Sequence, residues 1–84
     1  MNNNVELFLY IKPECTACDD FKSSLDEMGL EYHVINIEVD PDLKYRYGAR
    51  IPVLVANDRE VCEGQFDTDK LNKAGLYSPQ KNTI

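Results

Sequence analysis

The sequence predicts an α/β domain built as β-α-β-α-β-β-α, with a four-stranded mixed sheet flanked by helices. Three observations carry that expectation. A β-prone stretch, Val5–Tyr10, is followed by an amphipathic helical stretch over 16–28 and a second β-prone stretch over 31–37. Two short apolar segments, Ile51–Val55 and Glu60–Cys62, flank the tight-turn pair Asn57-Asp58, as in an antiparallel hairpin. The 84 residues, 43% of them hydrophobic, suffice for one core and leave no room for a second, so residues 1–84 are read as a single domain.

Each element follows from its residues. Val5-Glu6-Leu7-Phe8-Leu9-Tyr10 is apolar and aromatic, as a strand should be, and Pro13 ends it because proline has no N–H for a ladder bond. Phe21, Leu25 and Met28 recur at helical spacing while Asp20, Lys22, Ser23, Asp26 and Glu27 fall elsewhere, and Gly29 closes that helix. Glu31–Ile37 follows strand and helix, so it is expected to lie parallel to the first strand through a right-handed crossover. Asp40-Pro41 starts a short helix that ends at Gly48 and carries Tyr45 and Tyr47. Asp67-Thr68-Asp69 caps a last helix that runs through Leu71 to about Gly75. The core is expected over about 5–76, with the polar tail 77–84 frayed.

The candidate chemistry lies at Cys15-Thr16-Ala17-Cys18, where the first strand turns into the first helix. At the amino end of a helix the unpaired N–H groups and the positive end of the dipole favour a thiolate, which suits Cys15 as the attacking group. Cys18 falls one turn above, close enough to attack a mixed disulfide at Cys15 and close an internal ring. Lys12, just ahead of the pair, is either a solvated lysine or a cation that favours the thiolate, whereas Asp19 and Asp20 act against it.

Composition removes several function classes. A net charge of -6 does not suit a nucleic-acid or anionic-lipid surface, both of which need clustered Lys and Arg. Apolar runs of a few residues are far too short to span a bilayer, and Met1-Asn2-Asn3-Asn4 lacks the basic start and apolar stretch of a signal peptide. Three cysteines are an odd number, which suits a reducing compartment and a redox pair better than a secreted disulfide framework. A cytoplasmic protein, monomeric, is the expectation.

With that element order and that dithiol, the chain resembles the glutaredoxin branch of the thioredoxin fold, and within it a group of small bacterial glutaredoxin-like proteins. The resemblance spans roughly residues 5–76 and rests on three stretches: Lys12-Pro13-Glu14-Cys15-Thr16-Ala17-Cys18, Arg50-Ile51-Pro52-Val53, and Gly64 with Asp67. It implies a thiol–disulfide oxidoreductase, active in electron transport and redox homeostasis, with Cys15 and Cys18 catalytic. It further implies a cis bond before Pro52 and exposed Ile51 backbone that pairs with a substrate peptide. Lys12, Arg50, Gly64 and Asp67 are then substrate-binding residues, Arg50 attracting a substrate carboxylate. No metal or organic cofactor is expected to be held permanently. The implied partners are protein or small-molecule disulfides and a thiol reductant, glutathione or a thioredoxin-reductase-type system. Thr16-Ala17 replaces the family's proline and aromatic residue between the cysteines, and Glu63-Gly64 replaces its glycine pair. A carboxylate at 63 is expected to weaken a glutathione site, which makes the dithiol route through Cys18 the expected one.

Other readings of the same residues stay open at this point. Cys15, Cys18, Cys62 and His33 are formally four zinc ligands, but structural zinc sites draw ligands as close pairs, and His33 and Cys62 stand alone in strands. An iron–sulfur cluster bridged through Cys15 between two subunits is a second alternative, and a non-catalytic adaptor using an exposed strand edge is a third. Cys62 reads as a small buried hydrophobe, His33 as a strand surface residue, and Tyr10, Tyr45 and Tyr47 as core or rim aromatics.

Overall fold

The computed structural model describes residues 6–76. Val5 and the tail 77–84, for which a strand start and fraying are expected, lie outside the described residues. The elements are β1 (Leu7–Ile11), α1 (Thr16–Glu27), β2 (His33–Asn36), a 3-10 turn (Ile37–Val39), α2 (Pro41–Tyr47), β3 (Val53–Ala56), β4 (Arg59–Glu63) and α3 (Thr68–Lys73). They form one four-stranded sheet in the order β2-β1-β3-β4, with β2 parallel to β1 and the other pairings antiparallel. This is the thioredoxin-like α/β arrangement that the element order implied.

Strand alternation sends side chains to two faces, and the two central strands bury both. Leu7 and Leu9 of β1, Leu54 and Ala56 of β3, and Cys62 of β4 pack with Phe21 and Leu25 of α1 and Leu71 of α3. On the other face Val53 and Val55 pack with Ile37 and Tyr47, and Phe8 and Tyr10 lie against them. Every residue of β3 is therefore buried. Each fully buried Leu or Phe contributes about 1.5–3 kcal/mol relative to exposure, so the sheet is held from both sides.

Helix ends follow their caps. Gly29, at φ 75, closes α1 in a left-handed conformation that a side chain would strain. Its N–H donates to the Asp26 carbonyl and that of Leu30 to the Leu25 carbonyl, at 3.0 and 3.2 Å. Asp40 caps α2 by accepting the Asp42 N–H at 2.9 Å, with Pro41 at the first helical position. The hairpin turn is made by Asn57 and Asp58, both left-handed at φ 52 and 67, a pair of values that Asn and Asp tolerate best.

Three local expectations are corrected. The second strand stops at Asn36 rather than Ile37, because the Asn36 side chain accepts the Glu38 N–H at 2.9 Å and starts the 3-10 turn. The third begins at Val53, not Ile51, since Pro52 has no N–H for the ladder. Tyr45 is 94% exposed and no part of the core. It sits two residues from buried Tyr47 on a short helix, hence on the opposite side.

Candidate active site

The turn from β1 into α1 positions the dithiol. Glu14 is left-handed at φ 58, which swings the chain so that Cys15, extended at φ -124, becomes the N-cap of α1. The Cys15 Sγ accepts the Cys18 backbone N–H at 3.1 Å, the contact a serine or aspartate oxygen makes at most helix starts. A backbone N–H and the positive end of the helix dipole thus meet at the Cys15 sulfur, the surroundings that favour a thiolate at a helix start. Cys15 and Cys18 stand at disulfide distance, with Cα atoms 5.2 Å apart. The two differ in access: Cys15 is partly exposed, while Cys18 is buried at 1% exposure.

The third thiol, Cys62, is buried on β4, and burial pushes its thiol pKa up. Partial alkylation of the reduced protein near neutral pH should therefore place the first label on Cys15. Peptide mass mapping checks this, and a first label on Cys18 or Cys62 would reverse the assignment of roles. His33 and Cys62 lie on the two edge strands. Among the described residues no three His, Cys, Asp or Glu side chains gather where they could hold a metal.

The loop ahead of β3 supplies the second part of the site. The Ile51–Pro52 bond is cis, and Pro52 is buried. The Pro52 carbonyl accepts the Gly64 N–H at 2.8 Å, which joins the proline loop to the corner after β4. Gly64 adopts φ 78, a value that penalises any other residue at that corner. Asp67 caps α3, its Oδ1 accepting the N–H groups of Asp69 and Lys70 at 3.0 and 3.4 Å. The proline loop and the glycine corner are thus brought together, whereas Lys12 is exposed and makes no ion pair among the described residues.

Arg50 is already engaged. Its Nη1 lies 2.7 Å from Glu60 Oε1 and 2.6 Å from Glu63 Oε1, and its Nη2 donates to Glu60 Oε2 at 2.9 Å and to the Arg46 carbonyl at 3.2 Å. A bulge in β4 makes this possible. Leu54 pairs with Cys62 but Val55 pairs with Glu60, so Val61 is the extra residue and Glu60 shares a face with Glu63. The guanidinium also lies over the Tyr47 ring, 5.5 Å from its centroid, and Tyr47 in turn stacks on Tyr10. Glu63, expected from the sequence as a bare repulsive carboxylate, is offset by this cation.

The cluster has a pH signature. Arg50 holds the Glu60 carboxyl below its usual range. The native state therefore binds fewer protons than the unfolded chain as acid is added. The stabilisation is complete above the unfolded carboxylate pKa of about 4.3 and is lost as pH falls through the lower folded value. Urea melts should show wild type more stable than Arg50→Ala at pH 7, with the gap narrowing as pH drops below about 4. A gap that does not change with pH would mean that the pair acts by packing alone.

A cleft of about 440 Å³ adjoins the dithiol, lined by Ala17, Asp20, Phe21 and Ser24 of α1 and by Gly64, Gln65 and Phe66. Of these the sequence reading singled out Gly64 for the site. The α1 stripe at i, i+3, i+4 and i+7 was available as a signal, but nothing in the sequence said what would face it.

Comparison with known proteins places these features in a family. A family profile described as glutaredoxin-like domain (DUF836) matches residues 6–74. The solution NMR structure of protein Ne2328 from Nitrosomonas europaea is 30% identical, with a TM-score of 0.73 over 88% of this chain and 98% of that one. The X-ray structure of target protein XcR50 from X. campestris is 29% identical, with a TM-score of 0.71 over 87% and 99% of the two chains. The glutaredoxin-like protein NrdH-redoxin from Escherichia coli shares the fold at 22% identity, with a TM-score of 0.66 over 89% and 99%. No curated protein matches the chain.

Proposed function

The chain belongs to the glutaredoxin-like domain family, and from that premise we propose that it is a thiol–disulfide oxidoreductase that reduces disulfides by a dithiol mechanism through Cys15 and Cys18. One observation carries the reading: a partly exposed Cys15 at the N-cap of α1 accepts an N–H bond from a buried Cys18 that stands at disulfide distance.

The chemistry balances with no bound cofactor. The Cys15 thiolate attacks one sulfur of the substrate disulfide. A Cys15–substrate bond forms as the substrate S–S bond breaks, and the leaving thiolate takes a proton from water. Cys18, as thiolate, then attacks Cys15 Sγ and expels the second substrate sulfur. The substrate gains two electrons and two protons, and the protein is left with the Cys15–Cys18 disulfide. A cellular dithiol or glutathione-linked reductant returns it to the reduced state. The cis-proline loop, with Pro52 tied to Gly64, offers the Ile51 backbone to the substrate chain as an added strand.

In this reading the protein works in the reducing cytoplasm as a monomer. No helix among the described residues is long and apolar enough to cross a membrane. The direct test mixes reduced, reductant-free protein with a disulfide peptide. One equivalent of peptide should be reduced per protein as the protein loses two hydrogens in mass, and Cys15→Ser should show no reaction. Reduction that persists in Cys15→Ser, or its absence in wild type, would reject the reading.

A further inference from the structure

The cleft beside the dithiol has a charge and a floor that together describe what enters it. Ala17, Asp20, Phe21 and Ser24 form one stripe of α1, so the Asp20 carboxylate stands about one turn along the helix from Ala17, the second of the two residues between the cysteines. Across from them lie Gly64, Gln65 and Phe66. The floor is aromatic: Phe21 and Phe66 meet edge to face with centroids 5.4 Å apart. Ser24 and Gln65 are neutral, which leaves Asp20 as the one ionisable residue lining the cleft.

No cation among the described residues lines the cleft beside that charge. Asp20 is exposed and makes no ion pair among the described residues. Arg50, the cation that the proline loop could have offered, is shared between Glu60 and Glu63. A ligand seated in this cleft, which borders the dithiol turn at Ala17, meets negative charge over an apolar surface. Glutathione, with two carboxylates against one ammonium, fits that poorly. A lysine or arginine side chain fits it well: its aliphatic stem can lie against the partly buried Phe66 ring, which Phe21 backs from the core, while its charged end reaches the carboxylate.

We propose that this cleft selects polypeptide disulfides that carry a lysine or arginine within a few residues of the attacked sulfur, and that Asp20 is the residue that sets this preference. The proposal rests on the redox reading above and adds the substrate class.

The test uses two synthetic disulfide peptides that differ only in bearing Lys or Glu two residues from the cysteine. Each is mixed with pre-reduced, reductant-free protein under single-turnover conditions, and the second-order rate constants are compared as a ratio. Any effect of Asp20 on the reactivity of Cys15 is common to both peptides and cancels. Wild type should reduce the Lys peptide roughly fivefold faster at low salt, as expected for one exposed attraction exchanged for one repulsion, with the ratio shrinking as salt is added. Asp20→Asn should bring the ratio near one, and Asp20→Lys should invert it. Asp19→Lys, the same change of charge at a residue that does not line the cleft, should leave the order as in wild type. Equal rates in wild type, or a ratio that Asp20→Lys does not move more than Asp19→Lys does, would overturn the proposal while the redox reading stood. If no variant reduces either peptide, the redox reading fails and the proposal fails with it.

Discussion

Cys18→Ser is expected to stop the reaction at the mixed disulfide and to lower steady-state disulfide reduction by more than about a hundredfold. The reason is where the resolving sulfur stands. Cys18 is held within disulfide distance of Cys15 by a single helical turn, and its own N–H is bonded to the Cys15 sulfur. An intramolecular nucleophile placed this way acts at an effective concentration far above that of any free cellular thiol, so removing it leaves only a slow bimolecular route. Glutathione could restore that route if it had a strong site here. The neighbouring cleft presents Asp20, and Arg50 is committed to Glu60 and Glu63, so of the two cations read as substrate-binding only Lys12 is left unpaired among the described residues to meet its carboxylates. Mass spectrometry of the variant after exposure to a disulfide protein should find the substrate attached to Cys15. A glutathione-coupled assay gives the opposing outcome: near-wild-type turnover by Cys18→Ser would mean that one cysteine suffices and that the site accepts glutathione after all.

Much of the architecture was legible because local chemistry and tertiary packing agree. Pro13 ends a strand, Gly29 takes the left-handed end of α1, Asn57-Asp58 makes a two-residue hairpin, and Asp40 and Asp67 cap their helices. In each case a single residue type is called for by backbone geometry, and short-range reasoning finds it. The partner of Arg50 was not legible. Residues 60 and 63 would face opposite sides of a regular strand, and only the extra residue Val61 turns both carboxylates toward the same guanidinium. Nothing in Arg59-Glu60-Val61-Cys62-Glu63 marks that position, because a bulge is set by the fit of β4 against β3. Asp20, read from the sequence only as a charge that acts against the Cys15 thiolate, was not legible as part of a cleft for a related reason. A carboxylate in the first turns of a helix has an ordinary explanation in the dipole, and only the return of Gly64–Phe66 to the same side makes it the charge of a cleft.

Phe21→Ala is expected to cost about 3–5 kcal/mol, the largest stability loss available near the site. Phe21 is 1% exposed and joins three things at once. It packs in the core with Leu9, Leu25, Leu54 and Leu71, it meets Phe66 edge to face, and it forms the floor of the cleft one turn past buried Cys18. Truncation removes the transfer free energy of the ring and leaves a cavity whose walls belong to the sheet and to two helices, which limits how far they can collapse. A domain of this size has about 5–15 kcal/mol in total, so the variant should sit near the edge of folding at 37 °C. Urea titration at 25 °C should show a large drop in midpoint with little change in slope, the mark of a native state weakened but not expanded. Phe21→Leu keeps most of the volume and should lose far less. Phe66→Ala should also lose less than Phe21→Ala, since Phe66 is only partly buried. A loss below about 1 kcal/mol in Phe21→Ala would contradict the packing described here. With a loss of the expected size, the ring that anchors α1 in the core is also the ring that shapes the surface beside the dithiol. The position of Cys18 behind Cys15 then depends on the same contact that holds the domain together.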